Sequence, residues 1–345
     1  MISVYAWLML LALAPMKDVT DLPFLRVLSE LGTLPDYLIT EYFRVNPHHV
    51  KLDPYILQAI DENPTGLPIY GQLVGTDADS LVRDALNLLQ NHPVAGIDLN
   101  MGCPAALVCR KAAGGGMLKT LKNMESVLAS MREALPLGSF TVKCRIGWED
   151  PYELKEILSI LARHCPDRLV IHARTVREGY RTHVHTDCLR MAVESLSCPV
   201  IANGNIVDVQ TAQSWITQTH PAGLMIGRGV IRNPWIFDQI RSFLRDGTYS
   251  PVSYRELLRY VTLLLEKSAD FFVPYDEKKH IQRLKRYLIY IACGLPDEFG
   301  YSIKRAVTQD TYLDICHRWL DREGDMPHSP PINERLFACF HELYQ

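Results

Sequence analysis

Eight short apolar runs, separated by amphipathic helical stretches, limit what this chain can fold into more than any other feature. The runs are Ala6–Ala14, Tyr37–Thr40, Ile69–Leu73, Val94–Leu99, Phe140–Arg145, Leu169–His172, Val200–Ala202 and Gly223–Ile226. They lack sustained polar alternation and read as strands covered on both faces. Helical patterns lie between them, among them Leu81–Gln90, Asn123–Ala134, Pro151–His164 and Val207–Thr217. Eight strand–helix units predict an α/β fold, a closed (β/α)8 TIM barrel, with an open doubly wound sheet as the competing arrangement.

The chain of 345 residues has room for a second unit. From about Ser250, Arg255–Phe272, His280–Ala292, Lys304–Leu320 and Asn333–Tyr344 read as amphipathic helices with no strands between them. This predicts a barrel over 1–249 and a smaller all-α helical domain over 250–345. The net charge of −3 does not announce a nucleic-acid partner, so any such surface must be local. Lys278 to Arg305 supplies one, with seven Lys/Arg (278, 279, 283, 285, 286, 304, 305) against Asp297 and Glu298. Tyr287, Tyr290 and Tyr301 are interleaved, as base stacking requires. The competing reading is an ordinary solvated helix face.

Nine cysteines at irregular spacing, with no C-x-x-C pair, offer no zinc site and suit a reducing compartment, the cytoplasm. Ala12-Leu13-Ala14 resembles a signal-peptidase site, but no Lys or Arg precedes Lys17, and the apolar run is too short to span a bilayer. It reads as a buried first strand.

Barrel chemistry belongs to the C-terminal strand ends. These carry Pro15-Met16, Glu41 and Arg44, Gln72, Asn100 and Cys103, Lys143 and Arg145, His172 and Arg174, Asn203-Gly204-Asn205 and Gly227-Arg228-Gly229. Pro104 disfavours a helical backbone at Cys103, so the thiol sits on a loop just past a strand end. The Gly114-Gly115-Gly116 run allows close backbone approach to a flat or anionic ligand. The plain alternative for Cys103 is a small buried hydrophobe. The glycine turns after the last two strands, with Arg228, suit a phosphate. No G-x-G-x-x-G fingerprint is present.

APMKDVTD, YGQLVG, DLNMGCPAALVCRKAAGGGML, VKCRIGW, VIHARTVREGYR, VIANGNI and MIGRGVIRNPWIF together resemble the tRNA-dihydrouridine synthases. The stretch Thr40–Val45 and the cluster Arg283, Lys285, Arg305 are similar to the bacterial subfamily acting on uridine 16. The resemblance implies FMN over the barrel mouth and NADPH as reductant. Pro15, Met16 and Lys17 would lie along the flavin, with His172 near it and Gln72 and Lys143 against its rings. Asn203, Gly204, Asn205, Gly227 and Arg228 would hold the phosphate, and Cys103 would be the proton donor. Arg44, Asn100, Arg181, Arg283, Lys285, Tyr290 and Arg305 would meet tRNA. The chain departs from the family at Lys17-Asp18, where a small or acidic residue followed by glycine is commoner.

The implied reaction reduces a uracil C5=C6 bond, with hydride to C6 and a proton to C5 from a neutral thiol, which predicts that Cys103 sits apart from Lys143 and Arg145. The chain is expected to act as a monomer, without metal or membrane. Two rivals stay open: an FMN-dependent reductase of small dihydropyrimidine- or dihydroorotate-type molecules, and a catalytically silent RNA-binding barrel.

Overall fold

The computed structural model describes residues 9–48, 52–271 and 274–344. Its strands are β1 (Leu10–Leu13), β2 (Tyr37–Arg44), β3 (Ile69–Val74), β4 (Gly96–Met101), β5 (Phe140–Arg145), β6 (Arg168–His172), β7 (Val200–Asn203) and β8 (Gly223–Ile226). Neighbours pair in parallel and β8 returns to β1, so the barrel is closed and the open sheet is excluded. Residues 6–8 of the expected first strand lie outside the described residues.

Period-two alternation sorts the side chains. In β4, Ile97 and Leu99 join the large apolar cluster with Phe24, Leu88, Val127 and Trp215, and each enclosed side chain of this size contributes about 1.5–3 kcal/mol. Asp98 and Asn100 alternate with them and take polar partners inside the barrel. Below these, Ala12, Tyr37, Ile39, Tyr70, Val170, Ile201 and Met225 fill the interior as a second cluster. Arg168 stacks there over the Tyr37 and Tyr70 rings, at 4.2 and 5.3 Å.

The second strand is longer than the expected Tyr37–Thr40, and it is bulged. Ile39 pairs with Tyr70 but Tyr42 pairs with Gln72, so Thr40 and Glu41 together oppose Gly71. Thr40 Oγ1 accepts the Gln72 N–H at 3.0 Å, where a ladder bond would otherwise form. A bulge bends its strand and re-aims its side chains, here Glu41 and Tyr42, at the barrel mouth.

The helices around the barrel are α1 (Leu22–Leu31), α2 (Pro54–Glu62), α3 (Ala78–Asn91), α4 (Ala106–Cys109), α5 (Leu121–Ala134), α6 (Leu154–His164), α7 (Thr186–Ser195), α8 (Val209–Thr219), α9 (Arg228–Arg232) and α10 (Ile236–Asp246). Beyond them come α11 (Tyr254–Ser268), α12 (Glu277–Ile291), α13 (Asp297–Arg305) and α14 (Gln309–Leu320). Phe272, the expected end of the first of these, lies outside the described residues. No helix of the described residues is long and apolar enough to cross a membrane.

Two expectations for the tail are corrected. Lys304–Leu320 is not one helix: Ala306 turns extended (ψ 134) and Thr308 caps a new helix by accepting the Thr311 N–H. Asn333–Tyr344 is not an α-helix but two 3-10 turns around Cys339, whose φ is +60. The carbonyls of Leu336 and Ala338 accept instead from Arg228 and Asn205 on the barrel. The tail therefore ends as a strap on the barrel mouth.

Candidate active site

A cavity of about 620 Å³ opens at the C-terminal strand ends, a usual size for a small-molecule site. It gathers Pro15, Met16, Lys17, Asn100, Cys103, Lys143, His172, Arg181, Asn203, Gly204, Asn205, Gly227, Arg228 and Tyr290. A larger cleft of about 1410 Å³ adjoins it, and Lys17, Glu41 and Tyr42 line both. Arg44 and Arg283 line only that second cleft.

Cys103 is held from below by a chain of amides. Thr141 Oγ1 and Gln72 Nε2 both donate to the Asp98 carboxylate, at 2.7 Å each. Gln72 Oε1 accepts from Asn100 Nδ2 at 2.8 Å, and Asn100 Oδ1 accepts the N–H groups of Gly102 and Cys103 at 3.0 and 2.9 Å. A carboxylate only accepts, so Asp98 sets the direction of every bond in this chain. Gln72 is 0% exposed and turns its amide to Asp98 and Asn100. Asn100 likewise spends its side chain on the Cys103 loop. Burial pushes the Asp98 carboxyl up to about 6, against the opposing pull of its Gln72 and Thr141 bonds.

The glycine run has a different task from the expected one. A Cβ on Gly114 would lie 3.1 Å from Cys103 Cβ, and one on Gly115 would lie 2.9 Å from the Cys103 carbonyl. The run packs beneath the Cys103 loop, and Gly115 N–H donates to Cys103 O at 3.0 Å. Nor does Cys103 sit apart from cations: Arg145 Nε donates to the Gly102 carbonyl at 3.0 Å, and Lys143 lines the same cavity. Tyr42 packs beside Cys103. Burial, and then the neighbouring Cys103, raise the Tyr42 phenol. Sequence reading missed Tyr42 because the bulge that aims it has no local signature; an aspartate inside the apolar run of β4 was the available signal for Asp98.

The same cavity is cationic. Lys143 donates to Asn203 Oδ1 at 3.0 Å, and Asn203 Nδ2 donates to Met225 O at 2.8 Å. Burial, with Arg145 nearby, brings the Lys143 ammonium down to about 8. Arg174 comes down to about 9 through burial and the neighbouring Arg228 and Arg145. His172 is driven far below its ordinary range by burial and then by Arg145, Arg174, Lys143 and Arg228, so it is neutral. His172 Nδ1 and Arg174 Nη1 are buried without hydrogen-bond partners. Unpartnered polar nitrogens among converging cations fit an anionic ligand. Asn205 (φ 51) and Gly204 (φ 127) form the turn under Arg228. Asp18 also has φ 60, which accounts for the glycine commoner there in the family it resembles. Among the described residues no group of His, Cys, Asp and Glu could hold a metal.

The basic tail is only partly available. Arg283 is 6% exposed, ion-paired with Asp21 and 3.8 Å from the Phe271 ring centroid, so it is not the free phosphate clamp expected. Tyr287 is 0% exposed and donates to Asp21 Oδ1 at 3.1 Å, which rules it out as a stacking platform. Arg286 pairs with Asp18 and Lys279 with Asp276, both at 3.2 Å. Lys285 bonds the Lys304 carbonyl at 2.8 Å, and Arg305 lies 3.4 Å over the exposed Tyr301 ring. Tyr290 sits instead at the cavity, edge-on to Phe337. Arg181 is exposed at its rim.

The family described as dihydrouridine synthase (Dus) matches residues 12–316. The chain is 28% identical over 321 residues to the tRNA-dihydrouridine(16) synthase of Vibrio cholerae, covering 90% of this chain and 96% of that one. It is 31% identical over 263 residues to the tRNA-dihydrouridine synthase B of Escherichia coli, covering 76% and 80%. In fold it is similar to the solved structure of TcOYE with pHBA, at TM-score 0.51, 12% identity, and 68% and 89% coverage.

Proposed function

Because this chain belongs to the dihydrouridine synthase family, we propose that it reduces a uridine of tRNA, uridine 16, to 5,6-dihydrouridine, with FMN as cofactor and NADPH as reductant. The observation that carries this reading is one cavity that gathers the Cys103 thiol with Lys143, Arg145, His172 and Arg228, where His172 Nδ1 and Arg145 Nη2 are buried without hydrogen-bond partners. When bound, FMN supplies the hydride for C6 of the uracil. Lys143, at about 8 still largely cationic at neutral pH, sits where it can stabilise a negative charge, and the Gly204-Asn205 and Gly227-Arg228 turns suit a phosphate. Cys103 gives its proton to C5, and Asn100 holds the thiol's loop through two backbone N–H groups. A base inside folded tRNA must be turned out to enter this cavity. The helical unit over 250–345 carries the body of the tRNA, through Lys285, Arg305 and the rim residues Arg44 and Arg181. The enzyme works as a monomer in the cytoplasm.

Cys103→Ala tests the assignment. The variant should retain FMN and oxidise NADPH at nearly the parental rate, while tRNA reduction falls by about 10²–10⁴, the usual range for general acid catalysis. Dihydrouridine formation at the parental rate would remove Cys103 as the donor.

A further inference from the structure

The C-terminal strap is tied to the barrel at residues far from it in sequence. Arg232, 0% exposed, donates to the carbonyls of Cys293, Pro327, His328 and Ser329 at 2.9, 2.5, 3.0 and 3.2 Å. Ser329 Oγ and Tyr344 OH both donate to Asp208 Oδ2, each at 2.5 Å. Asp208 is itself the N-cap of α8, three residues beyond the Asn203-Gly204-Asn205 turn. Phe337 and Phe340, both 0% exposed, seat the strap against Val207 and Cys293. Between these anchors two strap carbonyls face the cavity turns. Leu336 O accepts from Arg228 Nη1 at 2.5 Å, and Ala338 O accepts from Asn205 Nδ2 at 3.0 Å.

We propose that this strap is a built-in part of the phosphate end of the site, its two carbonyls fixing the donors that meet the phosphate. The inference rests on the FMN reading above. Arg228 has five N–H donors; Leu336 O takes one and Asn205 Oδ1, at 3.3 Å, another, so donors remain for an anion and the guanidinium has one orientation. Asn205 holds a left-handed backbone (φ 51) that an unfastened asparagine adopts only part of the time. With the strap removed, Arg228 regains its rotamers and the turn its alternatives, and binding a phosphate must order both.

Two variants test it. One ends the chain at Pro331, keeping the three carbonyls of residues 327–329 on Arg232; the other is Phe337→Ala in the full chain. Binding of FMN and of riboflavin, which lacks the phosphate, is measured by flavin fluorescence on flavin-free protein, with thermal melting as the check of fold. Both variants should weaken FMN about tenfold or more, the cost of one mis-set charged hydrogen bond, and leave riboflavin unchanged. Equal weakening of both flavins, or no change in either, overturns the inference. Should the shortened chain fail to fold, Phe337→Ala and Tyr344→Phe carry the same comparison. A parental protein that binds neither flavin overturns the FMN reading and this inference with it, whereas a parental protein that binds FMN beside variants that do so equally well overturns the strap alone.

Discussion

Asp98 shows how much of this site is decided one side chain at a time. Its buried carboxylate is unfavourable for folding: the rise from 3.8 to about 6 is worth about 3 kcal/mol. Below pH 3.8 both states are protonated and the cost vanishes; it grows as pH rises to about 6, where the unfolded state has already released its proton, and stays constant above. Asp98→Asn should therefore lose the part of the parent's pH dependence that this ionisation carries, up to about 3 kcal/mol between pH 4 and pH 7, as urea unfolding at the two pH values would read. The same change removes the acceptor-only group that orients Gln72 and Asn100, so tRNA reduction should fall about tenfold with FMN content unchanged. A variant that keeps the parent's pH dependence, or one with parental turnover, contradicts this role for Asp98. Residues that announce chemistry by type at a strand end were legible in the sequence: Cys103, Lys143, Asn203 and Arg228 all reach the cavity. Asn100 also lines the cavity, whereas Gln72, expected against the flavin rings, is 0% exposed, does not line it and turns its amide to Asp98 and Asn100, because the direction of an amide depends on partners from other strands.

At the scale of elements, the alternation of eight strands and helices was legible but left a closed barrel and an open doubly wound sheet, both of which cover the strands on two faces, and the β8–β1 pairing decides for the barrel. The bulge in β2 was not legible, because it turns on one hydrogen bond between strands, and the break at Ala306 was missed although its cap is local, Thr308 accepting the Thr311 N–H. The strap was misread because residues 333–344 have helical periodicity, but the barrel's Arg228 and Asn205 take the carbonyls a helix would need. Helix α12 shows the limit of charge counting. Its basic run contains one buried arginine that joins the helical unit to α1 through Asp21, beside the stacked pair Phe24–Tyr287 at 5.9 Å. Arg283→Ala should cost about 3–5 kcal/mol by leaving Asp21 unpaired, seen as a lowered urea midpoint. Lys285→Gln with Arg305→Gln should leave that midpoint in place and flatten the salt dependence of tRNA binding by about 0.9 log units per lost contact. The reverse pattern would make Arg283 the tRNA contact and the other two a solvated face.

In the proposed reading the molecule as a whole joins a chemical site to a grip. A net charge of −3 argues against a protein that holds RNA everywhere, and within the basic run from Lys278 to Arg305 the residues Lys278, Lys285, Lys304 and Arg305 have no acidic partner among the described residues. A reductase of small pyrimidines would need the cavity but not this second surface. The two cavities meet at Lys17, Glu41 and Tyr42, so a chain gripped on the helical side has a continuous path to Cys103. Burial and the nearby Asp18 raise the Glu41 carboxyl to about 7, which limits the negative charge on that path at neutral pH. The most direct test supplies the FMN-loaded protein with NADPH and an unmodified tRNA transcript, and maps dihydrouridine by position, with free uridine offered in parallel. The account predicts dihydrouridine at position 16, one NADPH consumed for each, and no reduction of the free nucleoside. Reduction of free uridine with an untouched tRNA would contradict it.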